Sequence, residues 1–247
     1  MNHALVVFGN ILLVTWLTLG PAWATDGLTP GGLCVTDPLS LYISVGSCTI
    51  GDKTFSGFGY QGSAVNLAVI PATDITVTPI LSARNPGFTF TAPWSAVDVP
   101  TIQLDTIFYT VTVLPGGQLI DDASLALISP LADFGAVVDV TERLCVGGGQ
   151  SFAPPGACPS TSSVVLVHAF DDHRAVSETI HQTDQMIFPP VGTINVRTDI
   201  MVINGLLIDT ARLAGFTSQF SEVPWPGTLL LFGIGLGGFA AIGRRRR

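Results

Sequence analysis

The segment Thr106–Ile128, with the sequence TIFYTVTVLPGGQLIDDASLALI, decides the fold class of this chain. Its first half alternates, so that Ile107 and Tyr109 point to one side of an extended strand while threonines point to the other. Pro115-Gly116-Gly117 is a turn signal, and Gln118–Ile128 has the character of a second strand. The segment therefore predicts a β-hairpin.

Other runs along the chain have the same strand character. They are separated by Gly, Pro and Asp turns, and they are Thr54–Tyr60, Ile75–Leu81, Phe88–Thr91, Ala136–Arg143, Ser163–Phe170, Thr193–Ile203 and Leu206–Leu213. Short strands joined by such turns are typical of antiparallel sandwiches and jelly rolls. The sequence therefore predicts an all-β body, a single antiparallel β-sandwich or jelly-roll-like domain over residues 25–222.

One short helix is predicted inside this body, at Pro38–Ser44. Pro38 suits the first turn of a helix, Asp37 is placed to cap it, and Gly46 is placed to end it. Since helical periodicity does not recur elsewhere in the body, the helix is predicted to be an accessory to the strands.

The charge of the chain limits its partners. It has 10 Lys and Arg residues against 18 Asp and Glu residues, and four of the ten are the final residues Arg244–Arg247. The rest of the chain therefore holds 10 − 4 = 6 basic and 18 acidic groups, a net charge of −12. Because such a charge repels phosphate backbones, no nucleic-acid partner is predicted.

The N-terminus is organised like a secretory signal peptide. The segment Ala4–Leu19 is almost entirely apolar, and the helix-breaking pair Gly20-Pro21 follows it. Ala22 and Ala24 then form a small-x-small cleavage site. The sequence predicts a signal peptide over residues 1–24 that signal peptidase cuts after Ala24, and an uncleaved membrane anchor is the alternative.

The C-terminus, residues 223–247, has three parts. Pro224-Trp225-Pro226 forms a rigid box, Thr228–Gly243 is sixteen residues without a charge, and Arg244, Arg245, Arg246 and Arg247 end the chain. A helix of this length spans roughly 24 Å against a bilayer core of about 30 Å, and arginine side chains that reach the headgroups make up the difference. We predict a transmembrane helix at 228–243 with the arginines in the cytoplasm and the body outside.

This tail closely resembles the PEP-CTERM sorting signal, which combines a Pro-Glu-Pro box, a short Gly-rich helix and an arginine cluster. Trp225 stands where glutamate is usual in that family. Two stretches of the body, Gly46–Phe55 and Ser218–Pro224, also resemble recurring stretches of one group of these proteins. No catalytic residue is transferred by the resemblance.

The resemblance implies a route for the protein. Proteins with this signal are exported by Gram-negative bacteria that make exopolysaccharide, and their tail is a temporary anchor in the inner membrane. It implies that an exosortase, an integral-membrane cysteine protease-like enzyme, removes the tail. For this chain we expect a cut close to Pro226-Gly227, where the two prolines keep the backbone extended. The mature protein is then expected at the cell surface or in the medium.

Four cysteines form two local pairs in the body. Cys34 and Cys48 are 14 residues apart, and Cys145 and Cys158 are 13 apart. In an oxidising compartment an even number of cysteines usually pairs, and each closed loop contributes about 3 kcal/mol. The alternative is a four-cysteine metal site, but zinc sites of that kind use closer Cys-x-x-Cys spacings. The sequence therefore predicts the disulfides Cys34–Cys48 and Cys145–Cys158, and no metal.

The remaining candidates for chemistry have plainer interpretations. His168 shares a predicted strand face with Leu166 and Phe170, which favours a packed structural histidine over a metal ligand. Asp171-Asp172-His173 is predicted to be a polar hairpin turn. Asp121-Asp122 point to opposite faces of a strand, which favours solvated edge charges over a calcium site.

The only lysine of the chain follows an aspartate, and Asp52-Lys53 is predicted to be a surface ion pair at a turn. No nucleophile elbow, His-Glu-x-x-His sequence or phosphate loop occurs. The sequence therefore predicts no catalytic residue and no cofactor.

These observations predict an exported, non-enzymatic β-protein of the cell surface or extracellular matrix, structural or adhesive in an exopolysaccharide or biofilm context. The first alternative is a lectin-like carbohydrate-binding module, which an exposed Trp94 in a groove would favour and a buried Trp94 would not. The second alternative is a secreted hydrolase, which two carboxylates facing each other across a cleft would favour.

Overall fold

The computed structural model of the protein describes residues 27–97, 100–133, 135–146, 163–172, 179–204 and 210–222. Over these residues the chain forms fourteen strands and one short helix, and the strands make two antiparallel sheets of seven strands each. The predicted all-β antiparallel fold is therefore confirmed.

Each sheet is built from strands that are far apart in the sequence. The first sheet contains, in spatial order, β1 (Asp37–Pro38), β4 (Thr76–Ile80), β5 (Gly87–Val97), β14 (Thr210–Glu222), β7 (Ile120–Ile128) and β12 (Thr183–Val191), with β8 (Leu131–Ala132) beside β14. The second sheet contains, in spatial order, β11 (Thr179–His181), β10 (Ser163–Asp172), β9 (Ala136–Val146), β13 (Thr193–Asn204), β6 (Thr101–Val113), β3 (Lys53–Val65) and β2 (Ser47–Ile50). The last long strand, β14, thus lies in the middle of the first sheet.

Strand β6 has the two faces that its sequence predicts. Ile107, Tyr109 and Val111 are at most 1% exposed and face the first sheet. Thr106 and Phe108 are half-buried and face away from it. The alternation of side chains along a strand is sufficient to assign these faces.

The predicted hairpin between β6 and β7 is wrong, because the two strands belong to different sheets. The turn between them binds a second turn instead. The Leu114 N–H donates to the carbonyl oxygen of Asp52 over 2.8 Å, and the Gln118 N–H donates to Asp52 Oδ2 over 2.6 Å. Alternation sets which face of a strand is buried but not which strand pairs with it, so this turn carries the chain across the sandwich.

Aromatic rings fill the space between the sheets. Tyr109 of the second sheet packs against Phe88, Phe90 and Phe220 of the first, with ring centroids 6.0, 6.1 and 6.3 Å away. The other buried rings of the core are Tyr42, Phe55, Phe58, Trp94, Phe188 and Phe216. Because each such ring buries about 150 to 250 Å², this cluster is a large part of the hydrophobic stabilisation.

Helix α1 (Leu39–Val45) confirms the predicted helix and ends at Gly46, whose φ of 86° suits glycine. The predicted cap is wrong. Pro38 occupies the N-cap position, and Asp37 Oδ2 instead accepts a hydrogen bond from the Leu28 N–H over 3.1 Å. The reason is that Asp37 lies in β1, where it is extended and pairs with β4.

Two predicted boundaries are also wrong. The run Leu206–Leu213 covers only the start of β14, which continues to Glu222 through polar residues that alternate with buried rings. Asp171 and Asp172 do not form a turn, because β10 continues through both and pairs there with β9 on one side and β11 on the other.

The predicted signal peptide, residues 1–24, and the predicted tail, residues 223–247, lie outside the described residues. In the part of the chain that the structure describes, no helix is long and apolar enough to cross a bilayer.

Candidate functional site

The predicted disulfide between Cys34 and Cys48 is confirmed. The two Cα atoms are 5.0 Å apart, and both side chains are buried. The Cys34 N–H also donates to the carbonyl oxygen of Thr49 over 3.0 Å, which aligns the N-terminal segment with β2. Cys145 is disulfide-bonded as well, and its predicted partner Cys158 lies outside the described residues.

The predicted ion pair between Asp52 and Lys53 forms, but Lys53 is buried, so the prediction that the pair lies at the surface is wrong. The Lys53 side chain is 0% exposed, and its Nζ lies 2.5 Å from Asp52 Oδ1 and 2.6 Å from Glu222 Oε1. These three residues, here named the Lys53 cluster, join the start of β3 to the end of β14. Sequence reasoning missed Glu222 because it lies 169 positions from Lys53 and nothing local indicates the contact.

The two carboxylates of the Lys53 cluster titrate differently. Burial opposes ionisation of Asp52, but hydrogen bonds from Lys53 and from the Gln118 amide, with the charge of Lys53, outweigh it and lower its pKa. Burial raises the pKa of Glu222, and Asp52 adds to that effect while Lys53 opposes it. One cation thus holds one carboxylate ionised and leaves the other easier to protonate.

Trp94 is 1% exposed and binds a carboxyl group inside the sandwich. Its Nε1 donates to Asp105 Oδ2 over 2.7 Å, and Gln103 Nε2 lies 3.0 Å from each oxygen of the same carboxyl group. The hydroxyl of Tyr60 lies 2.7 Å from Asp105 Oδ1 and 2.5 Å from the carbonyl oxygen of Ile70. Trp94 is therefore a structural residue rather than an exposed sugar platform.

The surroundings of Asp105 favour its protonated form. Burial raises the pKa of Asp105, although the hydrogen bonds from Tyr60, Trp94 and Gln103 act in the opposite direction. The single hydroxyl hydrogen of Tyr60 cannot serve both the Ile70 carbonyl and an ionised Asp105. A protonated Asp105 resolves this, because it donates to the Tyr60 oxygen while Tyr60 donates to Ile70.

Glu142 of β9 is a second carboxyl group inside the sandwich, with 0% exposure. The Thr198 hydroxyl donates to Glu142 Oε2 over 3.2 Å. Burial raises the pKa of Glu142 to about 7, against a smaller opposite effect of the Ser218 and Thr198 hydroxyls. Ser218 belongs to the first sheet, and its hydroxyl lies 2.7 Å from that of Tyr109, so a polar contact joins the two sheets here.

The outer face of the second sheet, opposite the core, carries an ordered polar network. Arg197 Nε donates to the two carboxylate oxygens of Asp199 over 2.9 and 3.1 Å, and the Thr106 hydroxyl donates to Asp199 over 2.8 Å. Arg143 Nε lies 3.6 Å from the same carboxylate. The side chains of Arg197, Asp199 and Arg143 are 25%, 27% and 50% exposed. These polar groups are held in fixed directions yet still face solvent.

Three rings border this network, and they are here named the ring row: His168, Phe170 and His181. The His168 and Phe170 ring centroids are 4.8 Å apart, and those of Phe170 and His181 are 5.3 Å apart. His168 Nε2 lies 2.7 Å from Asp139 Oδ2. His168 shares a strand face with Phe170 as predicted, but its side chain is 44% exposed, so the prediction of a packed histidine is wrong. The alternation of the sequence places His168 and Phe170 on the same face of the strand, but it does not show that this face is exposed to solvent.

Each sheet has a shallow depression on its surface. The one on the second sheet, here named the polar depression, has a volume of about 570 Å³, and its lining includes Gln61, Thr106, Asp139 and Asp199. The one on the first sheet has a volume of about 870 Å³, and its lining includes Asp74, Pro93, Leu131 and Arg212. The polar depression coincides with the polar network and adjoins the ring row.

Asp122 is not the solvated edge charge that the sequence predicts. Strand β7 lies between β14 and β12, so it has partners on both sides. Asp122 Oδ1 accepts a hydrogen bond from the Ser221 N–H over 3.2 Å, and Oδ2 accepts one from Gln185 Nε2 over 3.0 Å. Burial, with the adjacent Asp122 charge, raises the pKa of Asp121. Among the described residues no group of three or more His, Cys, Asp or Glu side chains is placed to hold a metal ion.

Sequence reasoning missed the outer polar network, although part of the signal was present. Arg197 and Asp199 are two positions apart in a predicted strand, as are Asp139 and Thr141, so each pair lies on one face. The alternation does not reveal that β13 lies between β9 and β6, which brings these pairs together.

Several predicted residues cannot be placed, because they lie outside the described residues. They are Ala22 and Ala24 of the signal cleavage site, His173, Cys158, the box Pro224-Trp225-Pro226 and the cluster Arg244–Arg247. They remain predictions.

No family model matches the chain, and no curated protein matches it. Among solved structures, TmCBM61 in complex with beta-1,4-galactotriose is similar with a TM-score of 0.28 and 11% identity, over 66% of this chain and 88% of that chain. Carbohydrate-binding modules of the β-sandwich superfamily with promiscuous specificity are similar with a TM-score of 0.26 and 10% identity, over 72% and 58%. The enzymatically active domain of bacteriophage CBA120 tailspike protein 4 is similar with a TM-score of 0.24 and 10% identity, over 65% and 19%. At these TM-scores none of the similarities defines a function for this chain.

Proposed function

We propose that the protein is an exported, non-enzymatic β-sandwich protein of the cell surface or extracellular matrix, with a structural or adhesive role in an exopolysaccharide or biofilm context. The observation that carries the proposal is the Cys34–Cys48 disulfide, because such bonds persist in oxidising compartments and are rare in the cytosol. It agrees with the signal peptide and the sorting tail that the sequence predicts.

The non-enzymatic part of the proposal is supported by the state of the candidate carboxylates. Three aspartates line the polar depression. Asp199 is bound by Arg197 and Thr106, and Asp139 is bound by His168 and Thr141. Asp105 is bound by the buried side chains of Trp94 and Gln103. Each of these carboxylates is held by neighbouring side chains, so none stands free to act on a substrate. This arrangement favours a structural or binding role over a secreted hydrolase.

The proposed route has two transient partners. Signal peptidase removes residues 1–24, and the precursor is then held in the inner membrane by residues 228–243 with Arg244–Arg247 in the cytoplasm. Because an arginine in hydrocarbon costs about 2.5 to 3.5 kcal/mol, the cluster stops translocation. An exosortase-type peptidase then cuts close to Pro226-Gly227 and releases the body.

Fractionation of the native host followed by mass spectrometry of the protein tests this route. We expect a mature C-terminus close to Pro226-Gly227 and a non-reducing peptide map with Cys34 joined to Cys48 and Cys145 joined to Cys158. A chain truncated after Glu222 is the matched control, and it should be exported without an inner-membrane precursor. Protein that still ends in Arg247 in the inner membrane would show a permanent single-pass anchor, and free thiols in a cytosolic fraction would refute export.

A further inference from the structure

We infer that the outer face of the second sheet, at the polar depression and the ring row, binds a neutral glycan chain. This gives a ligand to the exported protein proposed above and rests on that proposal only for the compartment in which the ligand is met. The site uses none of the residues that a sequence-based search for a sugar platform selects, since Trp94 is buried.

The polar network supplies the first element of the site. An arginine has five N–H donors in a plane and a carboxylate has about four acceptor positions. Arg197 and Asp199 use only part of this capacity on each other, and both remain about a quarter exposed. Planar groups of this kind can bind pairs of neighbouring hydroxyl groups, and their mutual contacts hold them in place before a ligand arrives.

The ring row supplies the second element. Phe170 lies between His168 and His181, with centroids 4.8 and 5.3 Å away, and both histidines are exposed. Because the rings lie face against face, their outward edges form the surface that a ligand meets, and this partly apolar surface suits the C–H groups on one side of a pyranose ring. A few fixed polar groups beside an apolar surface are the usual composition of a small-molecule binding site.

The strand register places the two elements in one line. Gln61, Thr106, Asp199, Thr141 and His168 are directly opposite one another on five neighbouring strands. With about 4.8 Å between strands, this row is about 19 Å long. It therefore suits an extended chain of several sugar units that crosses the strands and ends on the ring row.

Charge selects a neutral chain over an acidic one. Two arginines, Arg143 and Arg197, balance the two aspartates that point outward from this face, Asp139 and Asp199. The third aspartate of the lining, Asp105, is buried in the sandwich. Outside the four terminal arginines the chain has 6 basic and 18 acidic groups. A polyanion would be repelled by the surrounding negative charge, whereas a neutral polyol uses donors and acceptors equally.

Affinity electrophoresis of the purified full chain tests the inference, with hydroxyethyl cellulose, galactan and glucomannan as neutral probes and alginate as the acidic probe. We expect retardation by at least one neutral polymer and none by alginate. Phe170→Ala and Asp199→Asn should each weaken the binding about ten-fold. Leu131→Ala and Asp74→Asn are matched controls, because they remove one large apolar side chain and one carboxylate charge from the depression of the first sheet.

The outcomes separate this inference from the proposed function. Retardation by alginate alone, by no polymer, or by neutral polymers with both Phe170→Ala and Asp199→Asn binding like the parent would overturn the glycan site. Loss of binding in the controls would place the site on the first sheet and would equally refute the inference. Thermal unfolding of each variant shows that a lost interaction is not lost folding. Export and tail removal, measured in the host, are independent of all these results.

Discussion

One end of the sandwich and the space between its sheets each hold a pair of carboxyl groups, and the two pairs have different surroundings. At one end of the sandwich Asp52 and Glu222 share the ammonium group of Lys53. Between the sheets, the hydrogen-bond partners that the described residues offer to Asp105 and Glu142 are hydroxyl, indole and amide groups. None of the ion pairs within the described residues involves either of them.

The difference shows what a buried cation changes. With Lys53 beside it, Asp52 has a lowered pKa although burial alone would raise it. Without a cation, hydrogen bonds do not offset burial, and the pKa values of Asp105 and Glu142 rise. The Lys53 cluster is thus a charged structural contact, although the pKa of Glu222 remains raised within it. Asp105 and Glu142 are easier to protonate than free carboxyl groups, which makes stability depend on pH.

Removing the ammonium group of Lys53 should have the largest effect on stability. Lys53→Met leaves Asp52 and Glu222 close together without a counter-charge, so we expect a loss of about 3 to 5 kcal/mol in the free energy of unfolding. Urea denaturation measures it. Arg84→Met, which removes an exposed cation that forms no ion pair among the described residues, is the control and should change little. Equal effects of the two substitutions would mean that the Lys53 cluster is not a buried charge contact.

The pH dependence of stability tests the region without a cation. Burial raises the pKa of Glu142 from 4.5 to about 7. A raised acid pKa gives stability that is complete below the unfolded pKa and is lost as pH rises through the folded pKa. Between about pH 5 and about pH 8 this group should therefore cost about 2 to 3 kcal/mol.

Glu142→Gln is the matched variant, because it keeps the shape and cannot ionise. The difference in unfolding free energy between parent and variant, measured at both pH values, isolates this residue from Asp105 and Glu222. A difference that does not change with pH would show that Glu142 is not the titrating group.

Replacing Asp105 or Asp52 by asparagine compares the two regions through smaller changes in stability. Asp105→Asn should cost little stability, since its NH₂ group can donate to Tyr60 and its oxygen can accept from Trp94 and Gln103. Asp52→Asn should cost about 1 to 3 kcal/mol, because it weakens the contact with Lys53 and sets an amide donor against the Gln118 N–H. Thermal unfolding of both variants measures this, and a larger loss for Asp105→Asn would contradict the assignment of its neutral form.

Exposed charge should matter least for stability. Arg143 is half exposed and lies 3.6 Å from Asp199, so Arg143→Ala should change the free energy of unfolding by less than about 1 kcal/mol. Its small effect should shrink further in high salt, which leaves the Lys53 cluster almost unaffected. An effect comparable to that of Lys53→Met would remove the distinction between buried and exposed pairs.

The sequence predicted faces and local contacts well, for a physical reason. Ile107, Tyr109 and Val111 follow from the two-residue period of a strand, and Cys34–Cys48 follows from a short separation in an oxidising compartment. Partners distant in sequence did not follow. The alternation along β6 is the same whether the strand pairs with β7 or with β13. The sequence pattern therefore could not show that the predicted β6–β7 hairpin is wrong.

The candidate site was missed for the same reason. Asp199 becomes part of a binding surface only because β13 lies between β9 and β6, and Lys53 becomes buried only because Glu222 ends a strand of the opposite sheet. The indole of Trp94 can be buried because its N–H donates to Asp105, 11 positions away in the sequence. That the Asp105 side chain points into the sandwich could be seen only once the sheet was known.

The burial of Lys53 has a practical consequence, because it is the only lysine in the chain. Reagents that acylate side-chain amines find none at the surface of the folded body, and a lysine-specific protease has no cleavable site there. Both would react only when the junction between β3 and β14 opens. The rate of acylation at Lys53 therefore measures how often that junction opens. Mass spectrometry can follow this rate in a matrix where spectroscopic probes of folding cannot be used.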